Sequence, residues 1–542
     1  MSFAILICAL VLIACIISNK FSNKIGVPVL PLFIILGMLM GSDGIFGIEF
    51  SDFHLAEQVC SVALIFIMFY GGFGTNWKIA KPVAVQSVLL STLGVVVTSV
   101  LAGLFCHLVL KTSLLEGLLI GSVIGSTDAA SVFSILRSKK LNLKHNLASL
   151  LEIESGSNDP TAYMMTMIFL SLMSAQKTGT FVWMILAQIG FGLLFGFGVA
   201  ILSVWVLKRL NFENSGIQAI FVVAIALAAY ALPSVLGGNG YLSVYITGIV
   251  LGNSRIRQKV ELVHFFDGLT WMMQIALFFV IGLLSFPSQI PQVIVPSLLI
   301  ALFLTFVARP AAIFLILTPF RTPLKHQLLV AWSGLRGAAS IVFAIYAVVS
   351  PAYTKTDIFH IVFCVALLSV SMQGTLLPVF AQKLGLVDNE ETVMKTFNDY
   401  QDDRDLSLIE IPMEEGHQWC GMTLREIHLP QNMVVLMIRR DGKTILPKGT
   451  TKVRPQDVLV LGGAPYREDG TVLLTEEEVG EDHPWAGQNI QDIAFPSQRM
   501  IAVIRRGNQV IIPSGGTTLL TGDLLILSSA PQEEPEPLSL NG

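Results

Sequence analysis

The sequence predicts an all-α polytopic membrane domain of thirteen transmembrane helices, two of them broken, followed by an α+β cytoplasmic tail of two repeated units. Three observations predict it. Of the 542 residues, 53% are hydrophobic and only 13% charged, with a mean hydropathy of +0.69, whereas soluble domains carry about 25% charged residues. Apolar runs of membrane-spanning length recur throughout the part before residue 385. Beyond it the composition turns polar, and the chain repeats itself at an offset of about 66 residues. A net charge of −4 is too small to suggest nucleic acid or an acidic substrate. Six scattered cysteines without a C-x-x-C pair argue against a disulfide framework or a zinc site.

The apolar runs centre on 3–18, 27–42, 58–73, 83–109, 115–136, 146–174, 180–208, 216–233, 240–254, 262–285, 293–317, 327–350 and 357–382. The first has no basic n-region and reads as a membrane span rather than a cleaved signal. The loops between spans alternate in charge. One set holds Lys20, Lys24, Lys78, Lys81, Arg137, Lys139, Lys140, Lys144, Lys208, Arg209, Arg255, Arg257, Lys259, Arg321 and Lys325; the other holds only Lys111, Lys177 and Lys355. Fifteen basic residues against three place the first set in the cytoplasm. The N-terminus is then outside and, after an odd number of crossings, the tail is cytoplasmic.

Ionisable groups at membrane depth cost about 2.5–3.5 kcal/mol each on insertion scales. The sixth span nevertheless reads "LEIESGSNDPTAYMM". Helical spacing puts Ser155 over Asp159 on one face and Glu154 over Asn158 on a neighbouring face. Pro160 lacks a backbone donor, which leaves the Gly156 carbonyl free beside the acid. Carboxylate, amide oxygen, hydroxyl and carbonyl are hard ligands for a small cation; tying helices together is the bland alternative. In the fifth span "LLIGSVIGSTDAASVF" interrupts the helix with glycines, Ser126, Thr127 and Asp128, and Asp128 is placed to cap a broken half. In the twelfth, "VAWSGLRGAASIVF" does the same with Gly334, Arg336 and Gly337. Two such segments in separate halves point to a transporter with inverted repeats. Glu154 is the acid expected to pair with Arg336, leaving Asp159 free to titrate; a second buried cation, Arg309, has no evident partner.

"STDAAS", then "ESGSNDPTAY", then "GLRGAAS" resemble, in order, the motifs of the monovalent cation:proton antiporters, in their electroneutral NhaP branch with an Asn-Asp pair. The resemblance covers residues 1–385. It implies an NhaA/NhaP-like inverted repeat and a homodimer in which a core bundle moves against a dimerisation bundle. It implies that Asp159 binds cation and proton in turn, with Thr127 and Asp128 at the crossed unwound helices, Asn158 and Ser155 beside the site, and Glu154 bonded to Arg336. No enzymatic activity and no resident metal are expected. Many sodium-transporting relatives carry a glutamate before a Gly-Gly at the end of the third span, where "FIMFYGGFGTNW" has Tyr70. That stretch looks like the potassium/proton antiporters, so potassium is the expected cargo and sodium the alternative, in the bacterial inner membrane.

Residues 386–404 form an acidic linker. "WCGMTLREIHLPQNMVVLMIRRDGKTILPKGTTKVRPQDVLVL" from Trp419 matches "WAGQNIQDIAFPSQRMIAVIRRGNQVIIPSGGTTLLTGDLLIL" from Trp485, pairing Arg439 with Arg505 and Asp457 with Asp523. Each copy predicts a short helix at "TLREI" or "NIQDI", then three strands separated by Asp-Gly, Gly-Asn and Gly-Asp turns. This tail resembles the TrkA-C (RCK_C) domain at 405–465, with a second copy at 466–530. The resemblance implies a regulatory module for a small ligand, often a nucleotide; stabilising the dimer is the alternative role. No G-x-G-x-x-G follows a strand there. Residues 531–542 read as a disordered end. A potassium channel regulated by the same tail type is the more distant reading, but no T-V-G-Y-G-like filter exists. No Walker loop supports a pump. His54, His264 and His360 read as interfacial or core residues rather than sensors.

Overall fold

The computed structural model describes residues 6, 9–18, 30–139, 141–144, 146–174, 181–210, 215–254, 256–352, 356–388, 407–413, 417, 419–427, 429, 433–440, 443–463, 473–480, 483–493, 499–506, 509–511 and 513–529. The expected linker beyond residue 388 and the expected C-terminal disordered end lie outside them. The chain divides into two units, residues 1–402 and 403–542.

The first unit is helical. Its helices are α1 (Ala9–Ser18), α2 (Leu30–Met40), α3 (Phe53–Gly74), α4 (Lys81–Val109), α5 (Leu114–Val123), α6 (Ala129–Ser138), α7 (Leu147–Met173) and α8 (Phe181–Arg209). They continue with α9 (Ser215–Val235), α10 (Gly240–Gly252), α11 (Lys259–Leu284), α12 (Pro287–Leu317), α13 (Leu324–Trp332), α14 (Ala338–Val349) and α15 (Ile358–Lys383). Seven of the described helices, α3, α4, α8, α9, α11, α12 and α15, are long and apolar enough to cross a membrane.

Short polar side chains start them. Asp52, Ser113, Asn239 and Asp357 each accept a backbone N–H three residues on, from Leu55, Glu116, Leu242 and His360, which satisfies an orphan donor at the helix N-terminus. His360 also donates through Nδ1 to Asp357 (2.6 Å), while its Nε2 accepts from the Phe286 amide (3.1 Å). Both ring nitrogens are occupied, as a core role requires. Three of the described helices carry a π turn: Leu90–Gly94 in α4, Leu304–Ala308 in α12 and Ser369–Gly374 in α15. Such turns shift the phase of the side chains beyond them and recur at functional sites. Close packing of α4 on α5 needs Gly121, where a side chain would strike the Ser99 carbonyl. A two-residue ladder, β1 (Asn142–Leu143) with β2 (Val387–Asp388), ties the loop before α7 to the end of α15.

The second unit contains two four-stranded antiparallel sheets. The first has strand order β3-β6-β4-β5, from β3 (Ser407–Pro412), β4 (Met433–Arg440), β5 (Lys443–Ile445) and β6 (Val458–Gly463). The second repeats that order as β7-β10-β8-β9, from β7 (Leu473–Glu478), β8 (Arg499–Arg506), β9 (Gln509–Ile511) and β10 (Asp523–Ser529). Two expectations are corrected. Each copy has a fourth strand, β3 or β7, on the sheet edge ahead of the repeated stretch. The "TLREI" helix does not form, because the Leu424 and Arg425 amides donate to the Thr451 and Gly449 carbonyls instead. The second copy does the same with Ile490 to Thr517 and Gln491 to Gly515, leaving one 3-10 turn at Ile490–Asp492. The Asp441-Gly442 and Gly507-Asn508 turns lie outside the described residues.

The duplication extends to an ion pair on a buried aspartate. Arg440 Nε and Nη2 donate to both oxygens of Asp457 at 2.7 Å, and Nη2 also to the Lys452 carbonyl. Arg506 repeats this on Asp523 and the Thr518 carbonyl. Burial pushes the Asp457 carboxyl up, but Arg440 and the Arg454 amide outweigh it and hold it below the usual carboxylate range. Asp523 is held down chiefly by Arg506, against burial. A carboxyl depressed in the folded state stabilises fully above its unfolded value, about 4, and that contribution is lost as pH falls through the folded value. Replacing Asp457 with Asn is therefore expected to cost the first sheet about 1.5–3 kcal/mol at pH 7 and to flatten its acid dependence. Hydrogen exchange of β6 peptides in the intact protein measures this; unchanged protection would contradict it.

Candidate functional site

The two interrupted spans are broken helices, and their breaks touch. Residues 124–128 separate α5 from α6, and residues 333–337 separate α13 from α14. The Asp128 amide donates to the Leu335 carbonyl at 2.8 Å. Asp128 accepts from the Ser131 amide (3.2 Å) and hydroxyl (2.6 Å), capping α6 as expected. Gly337 is required where it stands, since a side chain would run into Asp128. Arg336 reaches into the first break, just past the C-terminal end of α5: its Nη1 donates to the Gly125 (3.0 Å) and Ser126 (2.9 Å) carbonyls.

α7 passes the crossing and presents its polar faces to it. Ser155 Oγ donates to the Thr127 carbonyl at 2.9 Å and accepts the Ala129 amide at 2.8 Å, so one hydroxyl serves both sides of the first break. Asn158 Nδ2 donates to Thr127 Oγ1, while the buried Asn158 Oδ1 has no hydrogen-bond partner. Asp159 is half-buried, accepts from the Ser126 hydroxyl, and forms no ion pair among the described residues. The residues gathered around Asp159, Asn158, Ser155, Thr127 and Asp128 are those the sequence singles out; Ser126 is an added member. Its position next to Thr127 in the glycine-interrupted stretch is the signal for it.

The expected Glu154–Arg336 pair does not form. Glu154 instead binds Arg309 through both oxygens, Nη1 to Oε1 and Nη2 to Oε2 at 2.9 Å, with both side chains almost wholly buried. Arg309 follows directly on the π turn of α12, and the bare Gly334 makes room for it: a Cβ there would lie 2.8 Å from Arg309 Nε. A bidentate carboxylate satisfies a buried guanidinium better than a single carbonyl contact. Arg336, facing the carbonyls of the first break, has other acceptors. Gly156 itself packs against Tyr245, whose hydroxyl would be 2.7 Å from a Cβ there. Tyr70 donates to the exposed Asp267 carboxylate of α11 at 3.2 Å.

The resulting centre combines hard oxygen ligands with the Asp159 carboxylate, which no arginine or lysine neutralises among the described residues. Comparison with known proteins identifies the family. Residues 9–383 match the family model described as "Sodium/hydrogen exchanger, transmembrane", and residues 408–465 and 474–536 match the TrkA-C domain. A "K(+)/H(+) antiporter NhaP" of Alkalimonas amylolytica is 33% identical over 474 residues, covering 85% of this chain and 81% of that protein. A "K(+)/H(+) antiporter NhaP2" of Shewanella baltica is 31% identical over 466 residues, covering 84% and 80%. The solved structure of the sodium proton antiporter MjNhaP1 from Methanocaldococcus jannaschii matches with a TM-score of 0.64 at 26% identity, covering 71% of this chain and 99% of that one. The chain is a multi-pass membrane protein belonging to the sodium/hydrogen exchanger family, with a tail of TrkA-C type.

Proposed function

We propose that the protein is an electroneutral potassium/proton antiporter in which Asp159 holds either one monovalent cation or one proton. The observation that carries this reading is the division of labour among the carboxylates at the crossing. Glu154 is taken by Arg309 and Asp128 caps α6, so Asp159 is the group left for an exchangeable positive guest. The orphan Asn158 Oδ1 is a ready neutral ligand beside it. Carboxylate plus proton and carboxylate plus univalent cation carry the same net charge. Either loaded form changes sides at similar electrostatic cost, whereas the bare carboxylate is a charge that low-dielectric surroundings penalise. Forbidding the empty crossing makes exchange obligatory, and a non-titrating Asn158 keeps it one for one.

Thirteen crossings are the arrangement that fits: α5 with α6 and α13 with α14 each count as one broken span. The paired breaks and the π turns in α4 and α12 support an inverted repeat. A homodimer in the bacterial inner membrane, with the N-terminus outside and the tail inside, belongs to the same reading, as does regulation through a small ligand, a nucleotide among them, at the tail. Potassium is favoured over sodium by the names of the relatives covered over four-fifths of their length and by a phenol at Tyr70.

Vesicles containing the protein and a pH-sensitive dye test this. Potassium added to one side is expected to move protons more strongly than sodium or lithium, with no response to a diffusion potential set by a permeant anion. Preference for sodium would overturn the assignment of the cation, and a voltage-dependent rate would overturn electroneutrality.

A further inference from the structure

Four of the nine tyrosines meet in one cluster, Tyr241 of α10 fully buried and Tyr163 of α7, Tyr230 of α9 and Tyr346 of α14 half-buried. The Tyr346 hydroxyl is the hub, 2.7 Å from Ser61 Oγ of α3, 3.2 Å from the Tyr241 hydroxyl and 3.5 Å from that of Tyr230. The Tyr163 ring stands edge-on to Tyr241 (5.0 Å, 82°) and Tyr346 (5.6 Å, 70°).

Position gives the cluster its meaning. Tyr163 lies four residues after Asp159, one helical turn further along α7. Ser61 is in the first half of α3, Tyr241 at the start of α10, and Tyr230 and Tyr346 near the ends of α9 and α14. The alternation of basic loops puts all these helix ends on the outer side. The cluster therefore lies between Asp159 and the outer solution. The helices also fall into two groups. α7 and α14 carry the crossing; α3 and α9 pack on α10, and the two sets meet where α3 packs on α14 and α10 on α7. Every hydroxyl contact of Tyr346 joins the first group to the second.

We propose that these residues form the outer gate of the exchanger: Asp159 opens to the outside only when Tyr346 leaves Ser61, Tyr241 and Tyr230. The inference rests on the exchange reading above. Hydroxyl groups suit the task where phenylalanine would not. Bonded to one another they are satisfied while dry, and after parting each finds water instead, so neither state strands a polar group or exposes a fully apolar wall. Ring edges fill the closed passage without needing a fixed bond.

Sided vesicles test the gate. Replacing Tyr346 with Phe keeps the ring and removes the hub hydroxyl. It is expected to lower the potassium concentration for half-maximal exchange from the outer face and raise it from the inner face. Each shift should be about two- to tenfold, the equilibrium worth of a hydrogen bond. Ser61→Ala, which removes one contact, should shift both in the same directions by less. If exchange persists in both variants with unchanged half-saturation on the two faces, the gate is overturned, whatever happens to thermal stability. Failure of the wild-type protein to exchange at all would instead overturn the transport reading.

Discussion

Replacing Glu154 with Gln is expected to cost the membrane domain about 3–5 kcal/mol, because it removes one partner of a buried ion pair and strands the other. Arg309 is 2% exposed and has both Nη groups committed to Glu154, while its Nε already lacks a partner. An amide offers one acceptor and no charge, so the guanidinium would sit uncompensated in a low-dielectric interior. Marginal stability of about 5–15 kcal/mol makes this a large fraction of the total. The measurement is thermal unfolding in detergent, followed by loss of monodisperse protein. Arg336→Gln provides the contrast, since it takes a donor from two carbonyls of the first break rather than stranding a bare charge, and should cost about 1–3 kcal/mol. Equal losses in the two variants, or a larger one at Arg336, would restore the Glu154–Arg336 pairing that the sequence suggests.

Much of the site was legible because membrane interiors punish polar groups, so each one that remains carries information. Asp159, Asn158 and Ser155 stand out on α7, and the glycine-rich interruptions mark both breaks. The choice between Arg309 and Arg336 was not legible. Each is one cation in an apolar span, and what decides between them is the phase shift at the π turn of α12 and the space left by Gly334. Neither has a signature in a single sequence. The tyrosine cluster was hidden for a related reason: its members come from separate spans, where each reads as an ordinary amphipathic aromatic. In the tail the 66-residue repeat was plain, yet the amides of "TLREI" and "NIQDI" bond across to the strand-leading loop, an outcome that local helix pattern does not encode. The arginine that binds each buried aspartate is Arg440 or Arg506, the second of its Arg-Arg pair, and alternation along the strand sets which of the two turns toward Asp457 or Asp523.

Replacing Asp159 with Asn is the second change of large expected effect. The amide is nearly the same size and still accepts from the Ser126 hydroxyl, so the fold should survive and the thermal midpoint should stay close to that of the wild type. What vanishes is the exchangeable charge. An amide takes up no proton in the working range and offers a cation only a dipole, so neither loaded form exists and the cycle has nothing to carry. Glu154 cannot substitute for it while bound to Arg309, nor Asp128 while it caps α6. The direct measurement is potassium-driven proton movement in vesicles reconstituted with equal amounts of folded wild-type and Asp159→Asn protein. Dye response falling to that of empty vesicles is the predicted result. Robust exchange by the variant would mean that another group carries the two guests, and the account of this site would be wrong.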